Sequence, residues 1–248
     1  MLAQGRFHTL QRYISLLPSA EQQQRPWLLY WSGMSRLVFD PVAARKDLEQ
    51  AHHHFMIGEH QDAAGLFLSC SGIIESYHCG VDDMAPAITW GDRLEQLLNK
   101  DNGFPSRLIE ARVLTNLQGL IYASTHHPLL SELEESVDRI LSSLDDLASR
   151  CGVVATFVNL PLWRGDFRRV REMLDQLSPY MGNALVPPVT RLHWNVMEAN
   201  WAWNVRDSTK AKENLSQALA LAEKFGIVVF KPMILGISAY NALAAGDD

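Results

Sequence analysis

The chain has 248 residues, of which 47% are apolar and 20% charged, so it can bury a large core and lacks the composition of a disordered protein. Its formal net charge of −6 at pH 7 argues against a nucleic-acid surface, because such surfaces normally carry basic residues. Three cysteines without the spacing of a disulfide framework favour a cytoplasmic protein, and no segment has the length and apolar character of a signal peptide or membrane span.

In chain order, apolar residues that recur every three to four positions predict a series of helices. The first covers residues 7–17. The helix that starts at Pro26 is apolar on all sides, whereas the next one starts at Asp40-Pro41 and has a single apolar face. The remaining predicted helices cover residues 62–78, 84–98, 106–124, 128–147, 150–163 and 165–177, a helix pair within 188–226, and 227–245.

Residues 188–226 form the clearest unit of this series. Their first helix has apolar residues on two sides, including Leu192 and Trp201, and must be covered on both. Their second helix has one apolar face with alanines at the contact positions, and it stops at Gly226. A buried helix, a tight polar turn and an amphipathic helix form the layout of a tetratricopeptide-like repeat, whose period is about 34 residues.

The spacing of the buried-type helices, called first helices below, predicts the fold. They begin near residues 26, 62, 106, 150, 188 and 227, at intervals of about 36–45 residues, which suits such repeats. The last of these starts with four strand-forming residues, but we interpret them as helical because an isolated strand would have no partner. The sequence therefore predicts an all-α fold, a right-handed superhelix (α-solenoid) of about five or six antiparallel helix pairs, in one helical-repeat domain over residues 1–248.

A short turn motif recurs between the first and second helices of the predicted pairs. Its copies are Phe39-Asp40, Gly58-Glu59, Gly165-Asp166, Arg206-Asp207 and Gly246-Asp247. With the last copy at the chain end and an unpaired second helix at the start, the chain lacks the polar capping repeats that a free solenoid needs. We therefore expect a part of a longer protein whose exposed apolar ends promote self-association.

Three segments carry a resemblance to a known family. They are Gly5-Arg6-x-x-Thr9-Leu10-x-x-Tyr13-Ile14-x-x-Leu17-Pro18, Arg25-Pro26-Trp27-Leu28-Leu29-Tyr30-Trp31-x-Gly33 and Asp40-Pro41-x-x-Ala44-Arg45. They resemble the helical-repeat arm of large bacterial signal-transduction ATPase regulators of the maltose-activator and LuxR-type class. The resemblance implies an arm beside an output domain that senses an inducer or mediates self-association. The family's P-loop has no counterpart in this sequence, so neither ATP hydrolysis nor DNA binding is carried over to any residue.

Two Glu-x-x-His spacings, Glu49 with His52 and Glu75 with His78, are the strongest metal signal, because this spacing occurs in di-iron bundles. A full site needs two further inward glutamates and a different helix order, so we interpret both as solvated helix faces and expect no metal or other cofactor. The cysteines, Cys70, Cys79 and Cys151, lack a nucleophile signature and are interpreted as core residues, so no enzymatic activity is expected.

A polar stripe recurs on the first helices. Arg112 and Asn116 lie at i and i+4, and Arg191 and Asn195 repeat this spacing two units later. The predicted binding residues are Arg112, Asn116, Asn159, Arg191, Trp194, Asn195 and Glu198. Since the first helices of stacked repeats line a concave surface, we expect these residues to form a polar groove, with ordinary solvent exposure as the alternative.

These features favour a non-catalytic sensor or protein-interaction arm of a cytoplasmic bacterial transcriptional or signalling regulator. Its concave face would bind an inducer, such as a polar small molecule, or a protein or peptide partner. The alternative is a stand-alone tetratricopeptide-like adaptor that binds a peptide or partner helix. Neither direct contact with nucleic acid nor a membrane partner is expected.

Overall fold

The computed structural model describes residues 6–57, 62–80, 83–101, 103–143 and 145–245, and within these ranges the regular structure is helical, with no strand. The predicted all-α class is therefore confirmed. The helices are α1 (Phe7–Ser15), α2 (Ser19–Gln24), α3 (Pro26–Arg36), α4 (Pro41–Ile57), α5 (Ala63–Gly80), α6 (Ala85–Asp101), α7 (Arg107–Thr115), α8 (Gln118–Ala123), α9 (Pro128–Ser143), α10 (Leu147–Phe157), α11 (Asn159–Arg164), α12 (Phe167–Leu177), a 3-10 turn (Ser178–Tyr180), α13 (Pro188–Asn204), α14 (Ser208–Phe225) and α15 (Lys231–Ala245).

The helices predicted as first helices pack on one another in chain order. α3 contacts α5, α5 contacts α7 and α8, α7 contacts α10, α10 contacts α13, and α13 contacts α15. The intervening helices α4, α6, α12 and α14 each pack against members of this row. Buried apolar side chains join the helices in one continuous cluster that reaches from Phe7 in α1 to Ile234 in α15. Within the described ranges, no helix combines the length and apolar character needed to cross a bilayer.

Two of the first helices are interrupted near their middle, where the sequence predicted continuous helices. One is split into α7 and α8, and the other into α10 and α11, where Pro161 lacks the N–H that a continuous helix would use. The two breaks lie against each other, and the Thr156 hydroxyl donates a hydrogen bond to the carbonyl of Thr115 at 2.8 Å. This bond satisfies a backbone acceptor that the break in α7 leaves without its helical partner.

The predicted Asp turns begin helices by a clear mechanism. Asp166 and Asp207 each accept a hydrogen bond at 3.0 Å from the backbone N–H three residues later, which caps α12 and α14. Gly165 and Arg206, which precede them, adopt positive φ angles of 77° and 65°. The predicted copies Gly58-Glu59 and Gly246-Asp247 lie outside the described residues.

Residues 227–230, predicted as the start of the last helix, form a loop instead. Gly226 ends α14 in the left-handed conformation, and α15 begins only at Lys231, one residue before Pro232. Ile227 and Phe230 are buried at 0% and 4% exposure, so the two ends of the apolar run pack inward while Val228 is exposed. The backbone N–H of Val228 donates to the carbonyl of Val38 at 3.4 Å, which joins this loop to the segment that follows α3.

Candidate functional site

A cavity of about 280 Å³ lies between the row of first helices, α1 and the 227–230 loop. Four aromatic side chains line it: Phe7 from α1, Tyr30 and Trp31 from α3, and Phe230 from the loop. Phe230 also lies against the imidazole of His193, with ring centroids 5.5 Å apart. The loop and α1 therefore supply part of the lining beside the first helices.

Glu75 is the buried acid of this cavity. It lies on α5, is 8% exposed, and its Oε2 has no hydrogen-bond partner within the described residues. The Oε1 atom has the Cys79 thiol as a donor, at the long distance of 3.9 Å. Burial raises the pKa of Glu75 from 4.5 to about 8, although the backbone N–H groups of Gln118 and Gly119 lower it. The carboxyl group is thus poised to lose its proton when a cation or donor approaches.

Gly119 allows α8 to approach α5 closely enough to place these N–H groups beside Glu75. A Cβ atom built on Gly119 would lie 2.1 Å from the carbonyl oxygen of Ile74, far inside van der Waals contact. A glycine is therefore required by the close approach of two backbones. The role of Gly119 is thus to bring α8 and α5 together.

A layer of buried polar side chains lies beside the cavity. The amide nitrogens of Gln118 and Asn159 lie 3.0 and 3.4 Å from Nε2 of His193, and Tyr122 donates to Oδ1 of Asn159 at 3.3 Å. With two amide donors at Nε2, the neutral imidazole carries its proton on Nδ1. Burial lowers the pKa of His193 to about 3, so the ring is uncharged near neutral pH.

His78 and Cys79, which follow Glu75 on α5, are buried in their uncharged forms. Burial lowers the pKa of His78 to about 4, and its ring lies 4.9 Å from that of Tyr122. Burial, followed by the charge of Glu75, raises the pKa of the Cys79 thiol well above its usual value. A protonated, buried thiol is a poor nucleophile, so Glu75, His78 and Cys79 together do not have the properties of a covalent catalyst.

Two of the predicted binding residues line the cavity, and a third lies next to it. Arg112 is exposed at the rim, with its guanidinium 5.8 Å from the ring of Trp31, and Asn116 is buried in the wall. Asn159 is fully buried, and its side chain holds the polar layer together through Thr156 and His193. The structure therefore brings Arg112 and Asn116 to the cavity and places Asn159 behind its wall.

The four predicted residues on α13 lie outside the lining of the cavity. Glu198 is 2% exposed and forms ion pairs with Arg171 of α12, at 2.9 and 2.5 Å, and with Lys210 of α14, at 3.1 Å. Asn195 is buried and donates to the carbonyl of Arg191 at 3.1 Å, whereas Arg191 and Trp194 are half-buried. The expected single polar wall is therefore corrected: Glu198 joins three helices, because the face of α13 that carries it packs against α12 and α14.

One group of described residues has the side-chain types of a metal site: Asp92, Glu95 and His127. The backbone N–H of Leu129 donates to Nδ1 of His127 at 3.3 Å, which leaves the proton on Nε2, 3.2 Å from Asp92. Both ring nitrogens are thus engaged at the start of α9, and we interpret the group as a helix-capping cluster. In the Glu-x-x-His spacing of Glu49 and His52, Nδ1 of His52 lies 3.0 Å from the hydroxyl of Ser69, while Glu49 is exposed.

Sequence reasoning missed Glu75, Gln118 and His193 as cavity residues. Glu75 was noticed in a Glu-x-x-His spacing but was interpreted as solvated, whereas both it and His78 are buried. A signal was available, because Glu75 is the single charged residue between Ala63 and Gly80. A lone carboxylate in an otherwise uncharged helix indicates burial and a specific partner.

Comparisons with protein-family models, with curated proteins and with solved structures found no match for this chain. The class that the fold defines is an all-helical protein with an aromatic-lined cavity. Its function is inferred from that cavity.

Proposed function

We propose that this protein is a non-catalytic sensor arm that binds a small molecule in the cavity beside Glu75. In this proposal the helix pairs are tetratricopeptide-like repeats of a right-handed superhelix, and the chain belongs to a cytoplasmic bacterial regulator of the class that its sequence resembles. The row of first helices in contact with one another supports the repeat arrangement. The cavity supports a binding role, and the Cys79 thiol in its lining is protonated and is therefore not an activated nucleophile.

The cavity itself is the observation that carries this proposal. Its volume of about 280 Å³ lies near the lower end of ligand sites, which span about 300–1,000 Å³. Aromatic walls with a few buried polar groups are typical of sites that bind small organic molecules. A buried carboxyl oxygen without a hydrogen-bond partner, Oε2 of Glu75, supports binding further, since natural cores satisfy such atoms unless they have another role.

The small volume favours a small molecule over the peptide or helix that the adaptor alternative requires. Phe7 of α1 and Phe230 of the loop line this volume of about 280 Å³ together with the first helices. A helix with side chains is about 10–12 Å wide and needs an open groove. A compact ligand needs only the space that the structure contains.

Binding of an uncharged fluorophore, prodan, tests this proposal. Saturable binding to one site with blue-shifted emission is expected for the wild type. Ala148→Phe should abolish it by filling the cavity, because Ala148 lines the cavity at the start of α10. Ala20→Phe, at an exposed position of α2, is the matched control and should bind like the wild type. Unsaturable binding, or binding that persists in Ala148→Phe, would show that the cavity is not a ligand site.

A further inference from the structure

Glu75 differs from two other buried glutamates of this protein. Glu110 and Glu198 are equally enclosed, but each is paired with an arginine, Arg139 at 2.8 Å and Arg171 at 2.9 Å, respectively. Within the described part of the chain, Glu75 takes part in no ion pair, and its Oε2 has no hydrogen-bond partner. A buried carboxylate is costly unless a donor or cation meets it. Among the residues that the structure describes, Glu75 lacks the positively charged partner that Glu110 and Glu198 have.

The titratable groups that face Glu75 do not supply this positive charge. They are Cys79 on its own helix, Tyr122 on α8, and His193 on α13 at the same cavity, whose imidazole is kept neutral by burial. Arg112 lines the cavity too, but it is exposed and acts on the pKa of Tyr30 rather than on that of Glu75. The inner part of the cavity therefore presents an acid and aromatic rings without a cation.

We propose that the cavity binds an organic amine with an apolar body, whose ammonium group pairs with the carboxylate of Glu75. This inference rests on the proposed function, because it names the class of ligand for the same site. An ammonium group provides up to three donors for the oxygens of Glu75, and Tyr30 and Phe230 supply aromatic rings to the same cavity, of the kind that attracts a cation. A ligand with a carboxylate at the same place would bring a second acid beside Glu75 without a cation to pair with either, and it is disfavoured.

The test compares three probes of nearly equal shape by titration calorimetry with the wild-type protein: tryptamine, which is an amine, tryptophol, which is the neutral alcohol, and indole-3-propionate, which is an acid. Tryptamine is expected to bind about tenfold more tightly than tryptophol, because a charge-assisted hydrogen bond is about twice as strong as a neutral one. The acid is expected to bind more weakly than both. This comparison needs no variant and is independent of any effect on folding.

Two variants assign the preference to Glu75. Glu75→Gln keeps the shape of the side chain and is expected to bind tryptamine and tryptophol with similar affinity. Glu49→Gln is the matched control, because Glu49 has the same spacing to a histidine but is exposed on α4, and it should keep the tenfold preference. Equal affinity for amine and alcohol in the wild type would overturn the amine inference and leave the proposed function standing. Failure of all three probes and of prodan would overturn both.

Discussion

Replacement of Gly119 by alanine is expected to separate α8 from α5 and to destabilise the protein strongly. The added Cβ would lie 2.1 Å from the carbonyl oxygen of Ile74, whereas carbon and oxygen atoms normally approach to about 3.3 Å. The backbone fixes the position of a Cβ atom, and the carbonyl of Ile74 is itself backbone. No side-chain rotation can therefore relieve the overlap, and α8 must move by about 1 Å. We expect the free energy of unfolding to fall by about 3 kcal/mol, the upper end for overpacked cores, and Tm to fall by about 6–12 °C.

The matched control for this substitution is Gly236→Ala in α15. A Cβ atom there meets no other atom within 4 Å, and alanine is the better helix former by about 1 kcal/mol. The control should therefore raise Tm by about 2–4 °C while Gly119→Ala lowers it, as measured by circular dichroism at 222 nm. The steric reasoning fails if Gly119→Ala melts within about 2 °C of the wild type. A weakened affinity for prodan in Gly119→Ala would further show that the approach of α8 shapes the cavity.

Three further predictions concern charge and exposed apolar residues. Glu198→Ala is expected to cost about 2 kcal/mol in urea unfolding, because it removes a buried acid bonded to Arg171 and Lys210, while Arg171 keeps its pair with Asp175 at 2.8 Å. Glu172→Ala, at an exposed pair, should cost about 0.5 kcal/mol or less, and equal losses would contradict the assigned role. Because the pKa of Glu75 rises from 4.5 to about 8 on folding, the stabilisation from its bound proton is complete below pH 4.5 and is lost as the pH rises to 8. Glu75→Gln should therefore flatten the decrease in unfolding free energy between about pH 5 and 8, and an unchanged slope would count against the shift. Leu235 and Leu243 are 61% and 73% exposed on one face of α15, so Leu235→Glu with Leu243→Glu should reduce concentration-dependent association in sedimentation velocity, and a wild type that stays monomeric at all concentrations would refute this.

The helices were predictable because their signals are local. Apolar periodicity, the Asp caps and the stop at Gly226 act within a few residues of the positions that they determine, so helices such as α4 and α12 begin within about two residues of their predicted starts. The break at Thr115 was not predictable in this way. It depends on the hydroxyl of Thr156, which is 41 positions later in the chain and becomes a neighbour only when α7 and α10 pack.

The candidate site was harder to predict because burial depends on contacts between distant segments. Arg112 and Asn116 were found, since a polar stripe on a first helix is visible in the sequence. Glu198 was assigned to the same stripe by its spacing, but periodicity specifies a face of the helix and not the element that covers it. Phe230 was missed for a related reason, because its inward position depends on the contact between Val228 and Val38 near opposite ends of the chain.

The position of the cavity connects ligand binding to the contact between these two segments. The cavity is lined by Val38 and Phe7 on the side of the early helices and by Phe230 on the side of the late loop, while Glu75 lies on α5 between them. A ligand in the cavity would contact both segments, and it would stabilise the closed arrangement to the extent that it binds that arrangement more tightly than an open one. In the proposed sensor arm, the hydrogen bond from Val228 to Val38 is therefore the contact whose protection from hydrogen exchange should increase with ligand occupancy, whereas amides in the middle of α4, which is absent from the cavity lining, should keep their protection.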